Sequence, residues 1–178
     1  MAAPAETKTA IFAGGCFWCM QPGFDTTPGV VKTEVGYSGG HVANPTYEQV
    51  ISDTTGHYEA IAVTYDPAKV DYAKLLDIYW ENIDPLDAGG QFADRGEHYH
   101  TVIFVADDTQ RAAAEASKKA IEAKFAPKPV ATKILPAKPF YAAEDYHQKY
   151  YEKNKLRYNA YKYGSGRVDR LQELWGDE

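Results

Sequence analysis

The stretch "KTAIFAGGCFWC", residues 8–19, decides the fold because it joins a strand to a helix through a glycine pair. Its first six residues are mostly apolar and typical of a short buried strand. The Gly14-Gly15 pair ends that strand, and a helix is expected to begin near Cys16 and to end by Pro22-Gly23. Both cysteines of the chain lie in this stretch. It therefore predicts a strand–helix unit with two thiols at the junction.

The remaining predicted elements are further strands and helices. After the first helix they are strands at 30–37, 58–65, 101–106 and 130–135, and helices at 71–83, 107–125 and 142–154. Strands are assigned where apolar residues alternate, and helices where they recur at helical spacing, with Asp71 as one N-cap. The first six elements match the split βαβ order of ferredoxin-like folds. We therefore expect an α+β protein, a two-layer sandwich with a mixed sheet.

The length of 178 residues favours a single domain. We expect residues 1–178 to form that domain, with a frayed segment at 1–7 and a coil-rich C-terminal tail at 155–178. The stretch 84–99 has no regular pattern. A loop of that length inside a compact domain is often functional, so it is a candidate for part of a site.

Composition argues against several classes of function. The chain is 44% hydrophobic and 25% charged, with a formal net charge of −6 and no long run of Lys or Arg. This argues against nucleic acid as the main partner. No apolar stretch of about 18 residues suggests a membrane span, and no signal peptide is visible at the start. We expect a cytoplasmic location for the sequence as given, or a periplasmic one if a signal peptide was removed.

The cysteine pair has four interpretations from spacing alone: a structural disulfide, a zinc site, a redox pair and two inert buried thiols. A structural disulfide between Cys16 and Cys19 would close a very small loop and constrain the unfolded chain little. A structural zinc usually needs four Cys or His ligands, and the five histidines do not form a spaced set. The third interpretation is a redox pair, and it competes evenly with two inert buried thiols.

The redox interpretation rests on position. At a helix start, backbone N–H groups and the helix dipole favour a thiolate, so Cys16 is expected to be the more acidic thiol. Cys19 lies one turn later and could capture a sulfenic acid on Cys16 as a disulfide. Phe17 and Trp18, most simply core residues, could instead wall an apolar pocket for a small methyl-bearing group.

At this point the sequence resembles the A-type peptide methionine sulfoxide reductases. "GGCFWC" is similar to the GCFWG-type signature of that family, and further blocks follow in the family's order and spacing. These blocks are "EVGYSGG" (34–40), "NPTYEQV" (44–50), "TTGHYEAIAVTYDP" (54–67), "LLDIYWENIDP" (75–85) and "PFYAAEDYHQKY" (139–150). The resemblance covers about residues 8–155 and implies reduction of the S epimer of methionine sulfoxide, free or in proteins.

The resemblance also implies a chemistry. The family uses a cysteine nucleophile and a sulfenic acid, is usually recharged by thioredoxin, and implies no metal and no organic cofactor. Cys16 stands where the family has its nucleophile, and Phe17 and Trp18 match the aromatic residues that cradle the sulfoxide methyl group.

Four more residues match the oxygen-binding side of the family's site. Glu59 matches the acid that protonates the sulfoxide oxygen, and Tyr47 and Tyr99 match two tyrosines that bind this oxygen. Asp94 matches an acidic residue lining the site. Without the resemblance, Tyr47, Asp94 and Tyr99 would be a packed loop aromatic, a turn residue and a core aromatic.

The residues themselves support the acid. Glu59 shares a strand face with Ile61, Val63 and Tyr65, so burial should raise its pKa and keep it neutral at pH 7. Alone, a Glu in a strand would more often be an exposed carboxylate. His57 is interpreted as a structural hydrogen-bonding residue beside the site, and His98 is expected to point away because it is opposite in phase to Tyr99.

The chain departs from the family pattern in two places. The loop "GGQFADRGEHYHT" (89–101) keeps Asp94 and Tyr99 but differs from the common "RQGNDxGTQYRS" at several positions, which affects peptide preference. Many members carry resolving cysteines near the C-terminus, whereas this chain has Cys19 in place of the motif's last Gly and no later thiol. Cys19 is then either the resolving thiol or a bystander in a one-cysteine enzyme.

We therefore expect a monomeric oxidoreductase with the site residues Cys16, Cys19, Glu59, Phe17, Trp18, Tyr47, Asp94 and Tyr99. Its expected partners are methionine-S-sulfoxide and thioredoxin or a similar dithiol. The alternatives are a thioredoxin-type disulfide oxidoreductase, a metal-sensing module and a noncatalytic structural domain. Reduction of insulin would favour the disulfide oxidoreductase, and bound zinc would favour the metal-sensing module. A lack of thiol oxidation by methionine sulfoxide would favour the structural domain.

Overall fold

The computed structural model describes residues 6–176, which form a mixed six-stranded sheet with helices packed against it. Most of the segment 1–7, which was expected to be frayed, lies outside the described residues; its last two residues, Glu6 and Thr7, are exposed coil. The elements are β1 (Lys8–Gly14), α1 (Phe17–Asp25), β2 (Val30–Ser38), α2 (Tyr47–Ile51), β3 (Tyr58–Tyr65), α3 (Tyr72–Glu81), β4 (Gly90–Gln91), β5 (Asp94–Arg95), β6 (Thr101–Val105), α4 (Asp108–Phe125), β7 (Lys133–Pro136), β8 (Phe140–Ala142), α5 (Tyr150–Lys153), α6 (Lys155–Gly164) and α7 (Arg167–Trp175).

The sheet has the order β7-β6-β1-β3-β2-β8. Strand β3 lies between β1 and β2 and is antiparallel to both, so β1 and β2 run parallel with β3 inserted between them. This is the split βαβ unit, and the ferredoxin-like α+β prediction is confirmed. Strand β7 extends the sheet in parallel with β6, and β8 extends the other edge in antiparallel pairing with β2.

The main core lies between the sheet and the helices α1, α3 and α4. Side chains from alternate strand positions meet the apolar faces of these helices. Fully buried members include Phe12, Phe24, Ile61, Leu75 and Tyr79. The Tyr79 hydroxyl donates a 2.7 Å hydrogen bond to the Ala13 carbonyl, so α3 is tied to β1 just before the glycine pair. This hydrogen bond therefore fixes the junction between β1 and α1 against α3.

Helix α1 does not end at Pro22-Gly23 as expected, because it continues to Asp25 with Pro22 inside it. Proline removes one helical hydrogen bond. The burial of Phe17, Met20 and Phe24 against the core favours the helix more than this loss disfavours it.

The segment 142–154 is α-helical only at Tyr150–Lys153, after a 3₁₀ turn at Asp145–His147, and the prediction of one continuous helix is wrong. The Gln148 side chain explains the difference, because its Nε2 donates to the Val35 carbonyl at 2.8 Å and its Oε1 accepts from the Val35 N–H at 2.9 Å. It pairs with the edge of β2 as a strand residue would. Lys149 then adopts a left-handed conformation, with φ of +52°.

The prediction of a coil-rich tail at 155–178 is also wrong, because helices α6 and α7 occupy most of it. Helix α7 contains several good helix formers, and Tyr158 of α6 and Leu174 of α7 are buried against the rest of the protein. Trp175 packs its ring against Phe125 of α4 at a centroid distance of 5.4 Å. Tertiary packing therefore stabilises these helices.

Candidate active site

The candidate site is built around the turn that joins β1 to α1. Gly15 has φ of +82°, and a Cβ atom placed on it would lie 2.6 Å from the Gln91 Cβ. Gln91 is buried and immobilised by hydrogen bonds with the Asp84 backbone at 2.8 and 2.7 Å. Only glycine fits this backbone conformation and this close approach. Cys16 follows as the N-cap residue of α1, and its side chain makes no capping hydrogen bond.

Glu59 projects from β3 toward the same helix end. Its carboxyl is 2% exposed, and Oε1 accepts a 3.4 Å hydrogen bond from the Phe17 N–H. Oε2 is buried and has no partner among the described residues. Burial raises the pKa of Glu59 well above its usual value; the Phe17 N–H and the Tyr99 hydroxyl lower it, while the Asp94 charge raises it further. Burial therefore favours the neutral acid form of Glu59, and one of its oxygens has no partner among the described residues.

Tyr47 and Tyr99 lie beside this carboxyl. Burial, followed by the nearby Glu59, raises the pKa of each hydroxyl well above 10, so both remain protonated donors. Tyr47 opens α2, whose N-cap Thr46 forms a capping box with Gln49. The Tyr47 N–H also donates to Glu144 Oε2 at 3.0 Å, which fixes the start of that helix.

An aromatic wall formed by Phe17, Trp18, Tyr47 and His147 closes one side of the site. The His147 ring lies 5.1 Å from the Phe17 ring, 5.7 Å from Trp18 and 4.4 Å from Tyr47, centroid to centroid. Trp18 also stacks on Tyr150 at 4.0 Å, with an interplanar angle of 11°. Rings held from several sides form a rigid apolar surface suited to a methyl–sulfur group.

The two thiols are free and buried together in a cluster with Tyr150 and Tyr158. Burial raises the pKa of Cys16, as do its hydrogen bond with Cys19 and the negative charges nearby. The hydrogen bond from Cys16 lowers the pKa of Cys19 to about 7, and Arg167 adds to this effect while burial opposes it. These directions run against the expectation that Cys16 is the more acidic thiol. Burial and the hydrogen bond between the two thiols affect the pKa of Cys16 more than its position at the helix start does.

The loop 84–99 forms the opposite side of the site as a small hairpin, with Gly90 paired to Arg95 and Gln91 to Asp94. Burial raises the pKa of Asp94 to about 6, against the opposing charges of Arg167 and His98. Asp94 thus titrates close to neutral pH while it lines the site.

Arg167 comes from α7 and was not predicted as part of the site. It is 3% exposed, and its guanidinium lies 4.7 Å from the centre of the Phe92 ring. It also donates to the Asn82 carbonyl. Its charge affects both Cys19 and Asp94, so the C-terminal tail contributes directly to the electrostatics of the site.

The two histidines that were weighed have different positions. His57 accepts from the Gly40 N–H at Nδ1, 3.0 Å, and bonds the Val42 carbonyl through Nε2, 2.7 Å, as a structural residue would. His98 was expected to point away, and this is wrong. Residues Glu97–Tyr99 form a 3₁₀ turn, so strand alternation does not apply, and His98 Nε2 lies 4.0 Å from Glu59 Oε2.

The structure thus brings the eight predicted site residues into one cluster and adds Glu144, His147, His98 and Arg167. Glu144 and His147 belong to the block "PFYAAEDYHQKY", which was a signal that the sequence analysis used only for the resemblance. No pattern in the neighbouring sequence predicts that Arg167 is a site residue, because its burial depends on contacts between α7 and the distant residues Asn82 and Phe92. Within residues 6–176, no group of three or more His, Cys, Asp or Glu is arranged to hold a metal ion. None of the helices in that range is long and apolar enough to cross a bilayer.

Comparisons with known proteins agree with this geometry. Residues 8–178 match the family described as "Peptide methionine sulfoxide reductase". The chain is 55% identical over 174 residues to "Peptide methionine sulfoxide reductase MsrA" of Bacillus pumilus, covering 97% of this chain and 98% of that protein.

Solved structures show the same likeness. Mxr1 from Saccharomyces cerevisiae in reduced form superposes with a TM-score of 0.79 at 30% identity, over 87% of this chain and 90% of that one. Methionine sulfoxide reductase A of Corynebacterium diphtheriae gives 0.76 at 34% identity, over 87% of this chain and 78% of that one. A cysteine on a helix start beside a buried acid, in a chain this similar over its whole length, identifies it as an oxidoreductase that belongs to the peptide methionine sulfoxide reductase family, A type.

Proposed function

We propose that the chain reduces methionine-S-sulfoxide, free or in proteins, through a sulfenic acid on Cys16 and a Cys16–Cys19 disulfide. The single observation that carries this mechanism is the position of Glu59. It is a buried carboxyl group with a raised pKa and an oxygen that has no partner among the described residues, held by the Phe17 N–H one residue from the nucleophile.

In the first step the substrate methyl and sulfur pack against Phe17 and Trp18. The sulfoxide oxygen accepts hydrogen bonds from Tyr47, Tyr99 and Glu59, and Asp94 lines the pocket. Proton transfer from Glu59 makes the sulfur electrophilic, and the Cys16 thiolate attacks it. The bond between Cys16 Sγ and the substrate sulfur and the S–O bond of the substrate then both break as the hydroxyl group passes to Cys16, so methionine is released and Cys16 becomes a sulfenic acid.

Formation of the Cys16 thiolate needs a proton acceptor, and Cys19 fits that role. With a pKa of about 7 it is partly a thiolate at neutral pH and accepts the Cys16 hydrogen bond. Movement of that shared proton toward Cys19 leaves the charge on Cys16. The two thiols therefore form one acid–base unit before they form a disulfide.

In the second step Cys19 attacks the sulfenic sulfur of Cys16. An S–S bond forms, the S–O bond breaks, and the departing hydroxide takes a proton to leave as water. An external dithiol then reduces the disulfide and is itself oxidised. Thioredoxin is the proposed reductant, supported by the yeast relative, since Mxr1 from Saccharomyces cerevisiae has a structure in complex with Trx2.

The deciding experiment mixes fully reduced protein with excess methionine-S-sulfoxide and no reductant. About one methionine per chain with loss of both thiols is the expected result. One methionine with Cys19 still open to alkylation would make Cys19 a bystander. No methionine would overturn the reductase mechanism. Cys16→Ser should form none, while Cys19→Ser should form one and retain a sulfenic acid that dimedone can trap.

The proposal also takes the chain to act as one domain and as a monomer. Size-exclusion chromatography with light scattering tests the oligomeric state, and a dimer mass would overturn that part alone.

A further inference from the structure

His98 is a buried titratable residue that the cycle above does not use. Its ring is 5% exposed, and Nδ1 lies 2.6 Å from Asp53 Oδ1. The same carboxylate oxygen accepts from the His98 backbone N–H at 3.1 Å. Gly96 permits this contact, because it has φ of +132° and a Cβ atom there would lie 2.9 Å from Asp53 Oδ2. One side of the ring is thus fixed by an acidic partner.

The other side of the ring faces the candidate acid. His98 Nε2 and Glu59 Oε2 are 4.0 Å apart, both are buried, and neither has a hydrogen-bond partner among the described residues. Buried polar atoms without partners are uncommon and costly, so two of them facing each other indicate a function. The ring can hold a proton on each nitrogen, with Nδ1–H donated to Asp53 and Nε2–H directed at Glu59.

The cycle creates a need for such a proton. The same oxygen atom must be protonated twice, once when it leaves the substrate sulfur and once when it leaves Cys16 as water. Glu59 holds one proton and is a carboxylate after the first transfer. Two protons end in the water molecule, and Glu59 can supply only one of them before its buried carboxylate has to be protonated again.

We propose that the Asp53–His98 pair reprotonates Glu59 between these two steps, an inference that rests on the function proposed above. His98 gives its Nε2 proton to Glu59 Oε2 and becomes neutral, with Nδ1–H still bound to Asp53. Glu59 then donates that proton to the hydroxide that leaves Cys16. Between turnovers His98 takes a proton from solvent, passes it to Glu59 and takes up a second one, so that both groups are protonated again and the two protons lost by the thiols are balanced. It acts through Glu59 and does not touch the substrate.

The surroundings of the ring suit this role. The titratable groups that face it are Asp53 from the turn after α2, Glu59 from β3, Asp94 from β5 and Tyr99, whose ring lies 3.9 Å away between centroids. Asp53 is an ionised partner, since the His98 hydrogen bonds lower its pKa although partial burial opposes them. Its side chain is 35% exposed, so solvent reaches the carboxylate side of the pair.

The test separates the two chemical steps by rapid quench on reduced enzyme without reductant. Methionine formation reports the first proton transfer, and dimedone-trappable sulfenic acid reports the second. For His98→Gln we expect methionine formation within about twofold of the unchanged protein and a sulfenic acid that lasts at least about tenfold longer. In His98→Ala, added imidazole should shorten that lifetime with a first-order dependence on its concentration. Asp53→Asn, which keeps the ring, should prolong it as well, and exposed His41→Gln is the matched control.

Three results would overturn the inference. An unchanged sulfenic acid lifetime in His98→Gln and Asp53→Asn would show that no reprotonation passes through the pair. Equal slowing of both steps without imidazole rescue would show a merely structural ring. If the unchanged protein itself leaves a stable sulfenic acid beside a free Cys19, the resolving role of Cys19 fails, and this is visible before any His98 variant is made.

Discussion

The indole Nε1 of Trp18 donates a 3.0 Å hydrogen bond to Nδ1 of His147, a residue 129 positions later in the chain. This bond joins the cysteine motif on α1 to the segment that precedes α5. His147 is fully buried and packs on Phe17 and Tyr47 as well, so it holds the aromatic wall as one unit.

This burial should make stability depend on pH. Burial lowers the pKa of His147 from 6.5 to about 4, so below pH 6.5 the unfolded chain binds a proton that the folded protein does not. The free energy of unfolding should therefore fall as pH drops from about 6.5 to about 4. In His147→Asn, whose amide oxygen can replace Nδ1 as acceptor, this part of the fall should vanish. Urea unfolding of both proteins at pH 7 and pH 5 measures the difference, and identical pH dependence would contradict it.

Glu59→Gln should slow methionine formation in a single turnover by a factor of about 10²–10⁴, because an amide cannot supply the proton. Because burial raises the pKa of Glu59, the unchanged enzyme should lose rate on the alkaline side as pH rises through that value. The variant should lack this alkaline fall. Rapid-quench rates across pH test both points, and an unchanged rate would remove Glu59 as the acid.

Cys19 should be the first thiol to ionise in the reduced protein, with a midpoint near pH 7. Iodoacetamide alkylation at graded pH, followed by peptide mass analysis, identifies the residue and its midpoint. Lys162→Gln should raise the midpoint, since the Lys162 charge favours the thiolate. Lys155→Gln, an exposed change in the same helix, is the matched control. First alkylation at Cys16 would contradict the proton sharing that we describe.

Gly15→Ala should destabilise the protein by about 1–3 kcal/mol from backbone strain alone, with added cost from the clash with Gln91. Activity should fall with stability, because the turn positions Cys16. Gly164→Ala is the matched control, since nothing lies within 4 Å of its Cβ position. Denaturant unfolding compares the two, and equal stability would show that the turn can relax.

Sequence patterns predicted the sheet because its strands alternate locally. The same alternation placed Glu59 on the buried face of β3, where the structure has it. His98 was placed wrongly because Gly96 turns the chain into a 3₁₀ turn, and no residue periodicity marks that change. Strand alternation holds only within a strand.

The C-terminal third was the least predictable part, since its conformation depends on distant contacts. Gln148 imitates a strand partner of Val35, and Arg167 becomes buried only when α7 lies over Asn82 and Phe92. Neither contact can be predicted from the pattern of the neighbouring residues. For the same reason, the order of acidity of the two thiols could not be judged from the helix start alone.

Cys16 and Cys19 lie within one turn of α1, at a spacing that a disulfide can bridge with little movement of the main chain. A redox enzyme whose second thiol sits on a distant segment must release and redock that segment in every turnover. Here that part of the chain is the packed pair α6 and α7, which can stay in place while the disulfide forms. The oxidised and reduced forms can therefore share one backbone, and repeated turnover need not expose the interior to proteases or to aggregation.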